Sequence, residues 1–509
     1  MSIVKESLCF RCLMWLWQGF LGLWRESATG RLIAALGRWL RRMFRESLIC
    51  RWLWRDGVLL RAWPDSLVCR ALKALGDLPA RILRWLHRAL GRRWQESLTA
   101  RVLDALGGNA HIFMGLLLMA MLSSPHSMWN NLYAFLGAAG ALAVFLLGTM
   151  QRAQQRLQPE KLGPYMYLYL LFICSGFLGS FFVSLSLRFF FFHLTGLMIV
   201  LTMVSSIRSY KQLHTVLIIA GFGLALSALY GCWQGYVGVD IVANQQDMDL
   251  NRGMPGRVYS FFDNPNNFAE ILVMLIPLML ALLLNAKRSR GRLFALAIMA
   301  VSAVAIGYTY SRSGWIGLAG AIVLFIAFRN WKLVPILAVL GVLAVPFLPE
   351  TIYNRILTIG NMNDSSTLYR FNIFGATATL LADHGTAGVG LGNDVMKIIF
   401  KLYPAMADGH YPIHTHNNYL QMWAETGIFG LIAYLALIAG QLKSGVKAFV
   451  SSADRRVKNL LAAAIAAMCG ILVISVAEYT WFYPRNMFIF WFLFAVISCC
   501  VKLTKVEVK

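Results

Sequence analysis

From about residue 111 onward, apolar runs of membrane length alternate with short polar connections. The runs fall at about 111–122, 131–149, 164–186, 189–207, 214–237, 267–285, 292–309, 313–329, 332–348, 426–442, 459–480 and 487–501. About 20 apolar residues let a helix cross the hydrocarbon while satisfying its own backbone hydrogen bonds. The pattern predicts an all-α polytopic membrane protein of about twelve spans, the first of them short. Lysine and arginine then sort the connections. Arg152, Arg156 and Lys161; Arg208 and Lys211; Lys287, Arg288 and Arg290; Arg329 and Lys332; Lys443 to Lys458; and Lys502 with Lys505 occupy every second one. Positive charge marks the cytoplasmic side, so both termini are expected there. The loop at 238–266, the turn "YTYSRSGW" at 308–315 and the connection from about 349 to 425 then face outward. That last connection is too long for a simple link. Its "SSTLYRFNIFGATATLLADHG" predicts an amphipathic helix capped by Ser365 or Ser366. A flexible turn "GVGLGND" and a second short helix near 393–403 follow.

Residues 1–108 carry a different, repeated pattern. Each unit sets an acid and a serine ahead of an arginine five residues after the acid: Glu6 with Arg11, Glu26 with Arg31, Glu46 with Arg51, Asp65 with Arg70, and Glu96 with Arg101. Gly37, Gly57, Gly76 and Gly107 recur at a later offset. Each unit predicts a short amphipathic helix opened by a serine cap and closed by glycine. Arginine outnumbers acid and tryptophan is frequent, so the expected partner is the anionic cytoplasmic leaflet, with the indoles at headgroup depth. A soluble repeat array packing on itself is the alternative. Nucleic acid is not expected, since these helices sit beside membrane spans that already offer an anionic partner.

Composition agrees with the pattern. With 58% hydrophobic and 14% charged residues at a net charge of +24, the 509-residue chain is far from the roughly 25% charge of soluble domains. The arginine-dense N-terminus lacks the apolar stretch and small-residue site of a cleavable signal peptide. The nine cysteines form no disulfide framework, and Cys9 with Cys12 is a lone CxxC without a second pair.

The scarce polar groups on the outer side are mostly arginines and amides: Arg257 in "RVYSFFDNPNNFAE", Arg312 in "YSRSGW", Arg370 on the loop helix, and His416 with Asn417 in "HTHNNYLQ". A single arginine at a bilayer edge is as well explained by snorkelling. Three on one side beside a histidine suit a diphosphate, because guanidinium binds phosphate oxygens bidentately. Histidine, a side chain that titrates near neutrality, suits proton transfer from a hydroxyl, although one beside asparagines also reads as a hydrogen-bonded loop residue. His410, His414 and His416 do not have the spacing of a zinc-protease helix.

The stretch "HNNYLQMWAETGIFG" resembles the signature of the O-antigen ligase and polymerase superfamily, with His416, Asn417, Gly427 and Gly430 as its elements. "GRVYSFFDNPNNFAE" and "YSRSGWIGL" are similar to two further motifs of that family, and the resemblance covers about residues 130–500. It implies a helical bundle of the membrane glycosyltransferase C type in a bacterial cytoplasmic membrane. The reaction it implies is metal-independent, needs no cofactor, and moves a saccharide from a polyprenyl-diphosphate donor to a glycan, lipid or protein hydroxyl. By that resemblance His416 activates the acceptor, Arg257 and Arg312 hold the diphosphate, Arg370 assists, and Asn417 and Asn266 bind or orient substrate. Ligase and polymerase are not distinguished. A transporter or a non-catalytic cell-envelope polysaccharide assembly protein is the other reading, but a transporter's ionisable mid-span residues are nearly absent here; Glu478, near the end of a span, has a packing explanation.

Overall fold

The computed structural model describes residues 11–12, 14–15, 18–19, 22–23, 26–47, 54–241, 253–361, 364–405 and 411–507. Glu6, Cys9, Cys50, Arg51 and His410 lie outside the described residues. Among the described residues the secondary structure is helical, with no strand. Contacts divide the chain into two compact units, Met1–Pro64 and Asp65–Lys509.

In the first unit, helix α1 (Ala28–Glu46) opens on Ser27, whose hydroxyl accepts from Gly30 N. Leu32, Leu36, Trp39 and Met43 lie exposed at helical spacing and form one apolar stripe. The second unit begins with two further repeats. Helix α2 (Leu67–Ala89) is capped by Ser66 and α3 (Leu98–Gly108) by Ser97, each through the amide three residues on. The serine caps therefore form as expected. The glycine stops form only in part: Gly37 and Gly76 lie inside helices that run through them, whereas Gly107 stands at the end of α3. At Gly76 the reason is close packing, since a methyl there would come within 2.7 Å of Leu157 O and Pro159. Gly107 likewise rests on the backbone of Gly148. Two acids of these repeats pair with arginines of the 149–162 connection, Asp104 with Arg152 at 2.7 Å and Asp77 with Arg156 at 3.3 Å.

The bundle continues with α4 (Ala110–Ser123), α5 (Asn131–Gly148), α6 (Pro164–Leu178), α7 (Val183–Ser206), α8 (Tyr210–Val237), α9 (Pro265–Asn285), α10 (Ser289–Tyr308), α11 (Arg312–Asn330) and α12 (Val334–Ala344). After α13 (Glu350–Leu357), α14 (Ser365–His384) and α15 (Asn393–Ile399) come α16 (Asn418–Ser451), α17 (Arg455–Ile474) and α18 (Pro484–Glu507). Helices α9, α17 and α18 are apolar on all sides and form the buried centre, with α11 and α10 against α9 and α7 against α18. At the periphery α5, α10 and α12 turn leucine, valine and alanine outward, as lipid-facing helices do.

Nine helical runs among the described residues are long and apolar enough to cross a membrane, and the bent pair α3 and α4 would make a tenth. The difference from twelve lies in α6, which is shorter, and in the continuous helical run Arg312–Phe347. As one straight rod those 36 residues would span about 54 Å. Yet Thr358, eleven residues beyond the run's end, accepts a hydrogen bond from Arg312 at its start. Eleven residues reach at most about 39 Å even fully extended, and eight of these are helical. The run Arg312–Phe347 is therefore not one straight rod, and the 3-10 turn Trp331–Leu333 interrupts its α-helical hydrogen bonding.

Helix α16 is interrupted at Gly427, whose φ of 75° and ψ of 176° break the helical run. The turn before α15 answers the freed backbone groups. Val389 N donates to Ala424 O, Gly390 N to Glu425 O, and Ile428 N to Gly385 O. The "GVGLG" turn is thus not loose: its backbone is bonded into a broken helix. A methyl on Gly427 would sit 2.2 Å from Thr386 O. Gly427→Ala is expected to cost about 2–5 kcal/mol from left-handed strain and overpacking, read as a lower melting temperature in detergent. Gly320→Ala, where nothing lies within 4 Å, should leave it unchanged or raise it.

Candidate functional site

Three non-glycine residues among those described have positive φ, namely Ser260 (54°), Tyr310 (48°) and His416 (50°). Each sits in one of the three polar motifs singled out above, and all three motifs meet at one end of the bundle. Strained backbone of this kind persists only where surrounding structure over-determines it, and it gathers at functional sites. Ser260 is clamped by α8: its N–H donates to Gln234 Oε1 at 2.6 Å and its hydroxyl to Ser227 O at 2.6 Å. Tyr310 turns the α10–α11 connection so that its carbonyls point at arginines. Arg257 Nε donates to Thr309 O at 2.8 Å and Arg355 Nε to Tyr310 O at 3.4 Å.

The second tie between motifs is Glu478, in the irregular segment between α17 and α18. Its Oε1 accepts from Arg370 Nη2 at 2.5 Å and from Asn266 Nδ2 at 3.1 Å. Asn266 Oδ1 in turn accepts from Arg257 Nη2 at 2.6 Å. The other carboxylate oxygen, Oε2, faces His416 Nδ1 at 3.6 Å. One carboxylate thus collects side chains from two of the three motifs and from the loop helix. Arg312, at the start of α11, reaches a separate carboxylate, the buried Asp364, and also Thr358 O at 2.9 Å. Asp364 occupies the cap position of α14 without a side-chain capping bond, in place of the expected serines, because its carboxylate points to Arg312 and Thr367.

Four arginines give this cluster a positive field. Burial, together with Arg355, Arg312 and Arg370, outweighs the pull of Glu478 and lowers Arg257 to about 9. It stays a cation at neutral pH, in a field already rich in positive charge. Burial alone would push the Glu478 carboxyl up, but Arg370 and then the facing His416 hold it down at about 2. It is therefore ionised beside His416. Burial drives His414 well below the ordinary histidine value, so it is neutral. Its Nδ1 accepts from the His416 amide at 3.2 Å, and its ring lies 4.1 Å from that of His416, tilted by 49°. His414 is a support for its neighbour.

The structure brings Arg257, Asn266 and Arg370 into one bonded cluster with Glu478, which His416 faces at 3.6 Å, and Arg312 enters through the field on Arg257. Asn417 does not face it. Its Oδ1 caps α16 through Tyr419 N and Leu420 N, and its Nδ2 donates to Val476 O at 2.8 Å. It fixes the loop on which His416 stands. Two members were not anticipated. Glu478 lies four residues past the end of α17, so it is not a span residue; a lone carboxylate in "AEYTWFYP", where charge is so rare, was the available signal. Arg355 carried no signal beyond its place in the long outer connection.

The family model described as O-antigen ligase matches residues 297–435, a little over a quarter of the chain. The match includes Arg312, Arg370, His416 and Gly427, while Arg257 and Glu478 approach from outside it. No curated protein matches the chain. Residues 297–435 are thus similar to the O-antigen ligase family, in a chain whose helices are long and apolar enough to cross a membrane.

Proposed function

We propose that the protein transfers a saccharide from a polyprenyl-diphosphate donor to a hydroxyl of a glycan, lipid or protein acceptor, on the outer face of a bacterial cytoplasmic membrane. The observation that carries this is the cluster around Glu478: a histidine backed by an ionised carboxylate, ringed by arginines, at the edge of an O-antigen ligase domain. A proton on His416 Nδ1, facing Glu478, leaves Nε2 as a lone-pair acceptor for the proton of the attacking hydroxyl. As the new glycosidic C–O bond forms, the bond to the diphosphate breaks and its electron pair leaves on the diphosphate oxygen. Arg257, Arg312 and Arg370 stabilise that charge, the electrostatic role a metal ion serves elsewhere. Asn266 joins Arg257 to Glu478 and so keeps base and anion site in register. Asn417 acts as a positioning residue.

Reconstitution of the full chain with a defined polyprenyl-diphosphate saccharide tests the reading. A product ladder, or a product on lipid or protein, supports transfer and names the acceptor; donor left intact with every acceptor class overturns it. In the same assay Arg257→Lys should raise donor KM about tenfold or more. Lysine offers one donor point where the guanidinium reaches both Thr309 O and Asn266 Oδ1. An unchanged donor KM would leave this residue as a simple anchor.

Alternation of lysine and arginine between spans supports twelve passes with both termini cytoplasmic and residues 1–108 as a membrane-surface repeat region. The stripe of Leu32, Leu36, Trp39 and Met43, beside Arg38 and Arg42, suits an anionic leaflet. A peptide of residues 26–47 should bind phosphatidylserine vesicles with a blue shift of Trp39 emission and bind them about tenfold more weakly at 0.5 M salt. Equal binding to neutral vesicles would remove the lipid-charge role.

A further inference from the structure

A cleft of about 300 Å³ opens beside the His414–His416 loop, on the flank of Ile413 and Phe482 rather than that of Glu478. None of Arg257, Arg312, Arg370, Glu478 or His416 lines it. It is nevertheless close to them: the Phe482 ring in its wall packs 4.5 Å from that of His414, whose ring in turn lies 4.1 Å from that of His416. We propose that this cleft holds the terminal sugar of a glycan acceptor and presents one of its hydroxyls to His416. The proposal rests on the glycosyl-transfer reading above and deepens it by choosing among the acceptor classes.

The lining has the chemistry a sugar needs. Hydroxyl groups both donate and accept, so a saccharide site mixes carboxylate or amide acceptors with cationic or amide donors. Here Arg188 and Asp394 form a partly exposed ion pair at 2.7 Å. Asn393 Oδ1 is buried without a hydrogen-bond partner, an acceptor left for a ligand hydroxyl. Lys397 is exposed and has no ion-pair partner among the described residues. Phe189 and Phe482 supply aromatic surface for the apolar C–H face of a pyranose. The volume is at the small end of ligand sites. A lipid headgroup would be expected to leave acyl chains seeking an apolar channel, and a protein would need a larger, flatter surface.

Position favours the acceptor over the sugars of the donor. The diphosphate belongs among the arginines on the Glu478 flank. Displacement at the anomeric carbon requires the incoming oxygen to approach opposite the departing one. In this proposal a hydroxyl offered from the Phe482 flank gives its proton to His416 Nε2 and forms its bond as the diphosphate oxygen takes the old bonding pair.

The test uses the full chain in nanodiscs with a polyprenyl-diphosphate saccharide as donor. The acceptor probe is the lipid-free oligosaccharide released from that donor by mild acid. Arg188→Gln and Lys397→Gln change exposed side chains and should leave folding intact. Each should raise KM for the oligosaccharide about tenfold, the loss of one charge-assisted hydrogen bond, with donor KM unchanged. A rise in donor KM instead would assign the cleft to the donor's sugars and overturn the proposal. Saturation-transfer NMR of the same oligosaccharide supplies a readout independent of turnover. Signal in the wild type that falls in both variants supports the saccharide site even if no transfer occurs, in which case the glycosyl-transfer reading alone fails. Transfer with unchanged KM and unchanged NMR signal overturns the cleft and leaves that reading standing.

Discussion

His416→Asn is expected to lower saccharide transfer by about 10²–10⁴-fold, the span that a general base contributes, while donor binding and melting temperature stay close to wild type. Asparagine is the informative replacement because His416 has a φ of 50°. Asparagine, like histidine, tolerates the left-handed region, so this variant removes the imidazole without moving the loop. His416→Ala should lose as much activity and also about 1 kcal/mol of stability, since alanine lacks a polar side chain to support that backbone. Single-turnover rates with a labelled donor, donor binding and thermal unfolding in detergent separate these effects. Transfer retained above a tenth of the wild-type rate in His416→Asn would sink the base assignment. Loss of donor binding together with transfer would instead make His416 part of the diphosphate site.

The sequence made the helical membrane fold and four members of the cluster legible for identifiable reasons. Hydrophobic period and run length are local quantities, so spans emerge from them directly. Arg257, Arg312, Arg370 and His416 stood out because charge is so rare in the chain that each polar position on the outer side demanded an explanation. Glu478 was equally visible but read as a packing residue. Its role depends on contacts 62, 108 and 212 residues away in sequence, to His416, Arg370 and Asn266, and no local pattern encodes these. The same limit explains the glycines. Gly427 and the "GVGLG" turn are each readable as loop formers, but their meaning is a mutual fit across some forty residues, in which backbone amides of one replace the lost helical partners of the other. Asn417 shows the opposite case. An asparagine just before a helix is a local capping signal, and here the local explanation accounts for its side chain.

Glu478→Gln should divide the site's two functions. Glutamine keeps an oxygen for Asn266 and Arg370 but removes the negative charge facing His416 Nδ1. The rate constant for transfer is therefore expected to fall about 10²-fold or more, whereas donor KM should stay level or drop, because the diphosphate now enters a more positive field. Stability should move the other way. The carboxyl is held at about 2, below its usual 4.5. A depressed acid of this kind contributes stability that is fully present above about pH 4.5 and is lost as pH falls toward 2. By linkage the contribution is about 3 kcal/mol, in line with the cost of leaving a buried charge unpaired. The variant should thus melt several degrees lower at pH 7 and lose the wild type's steep acid sensitivity between pH 4.5 and 2. Inorganic pyrophosphate should restore its melting temperature by more than it raises that of the wild type, since an anion that binds the folded state compensates the same arginines. If transfer and donor affinity fell together, Glu478 would be a scaffold for the arginines; if pyrophosphate stabilised both proteins equally, the positive field around Arg257 would not be the donor's binding site.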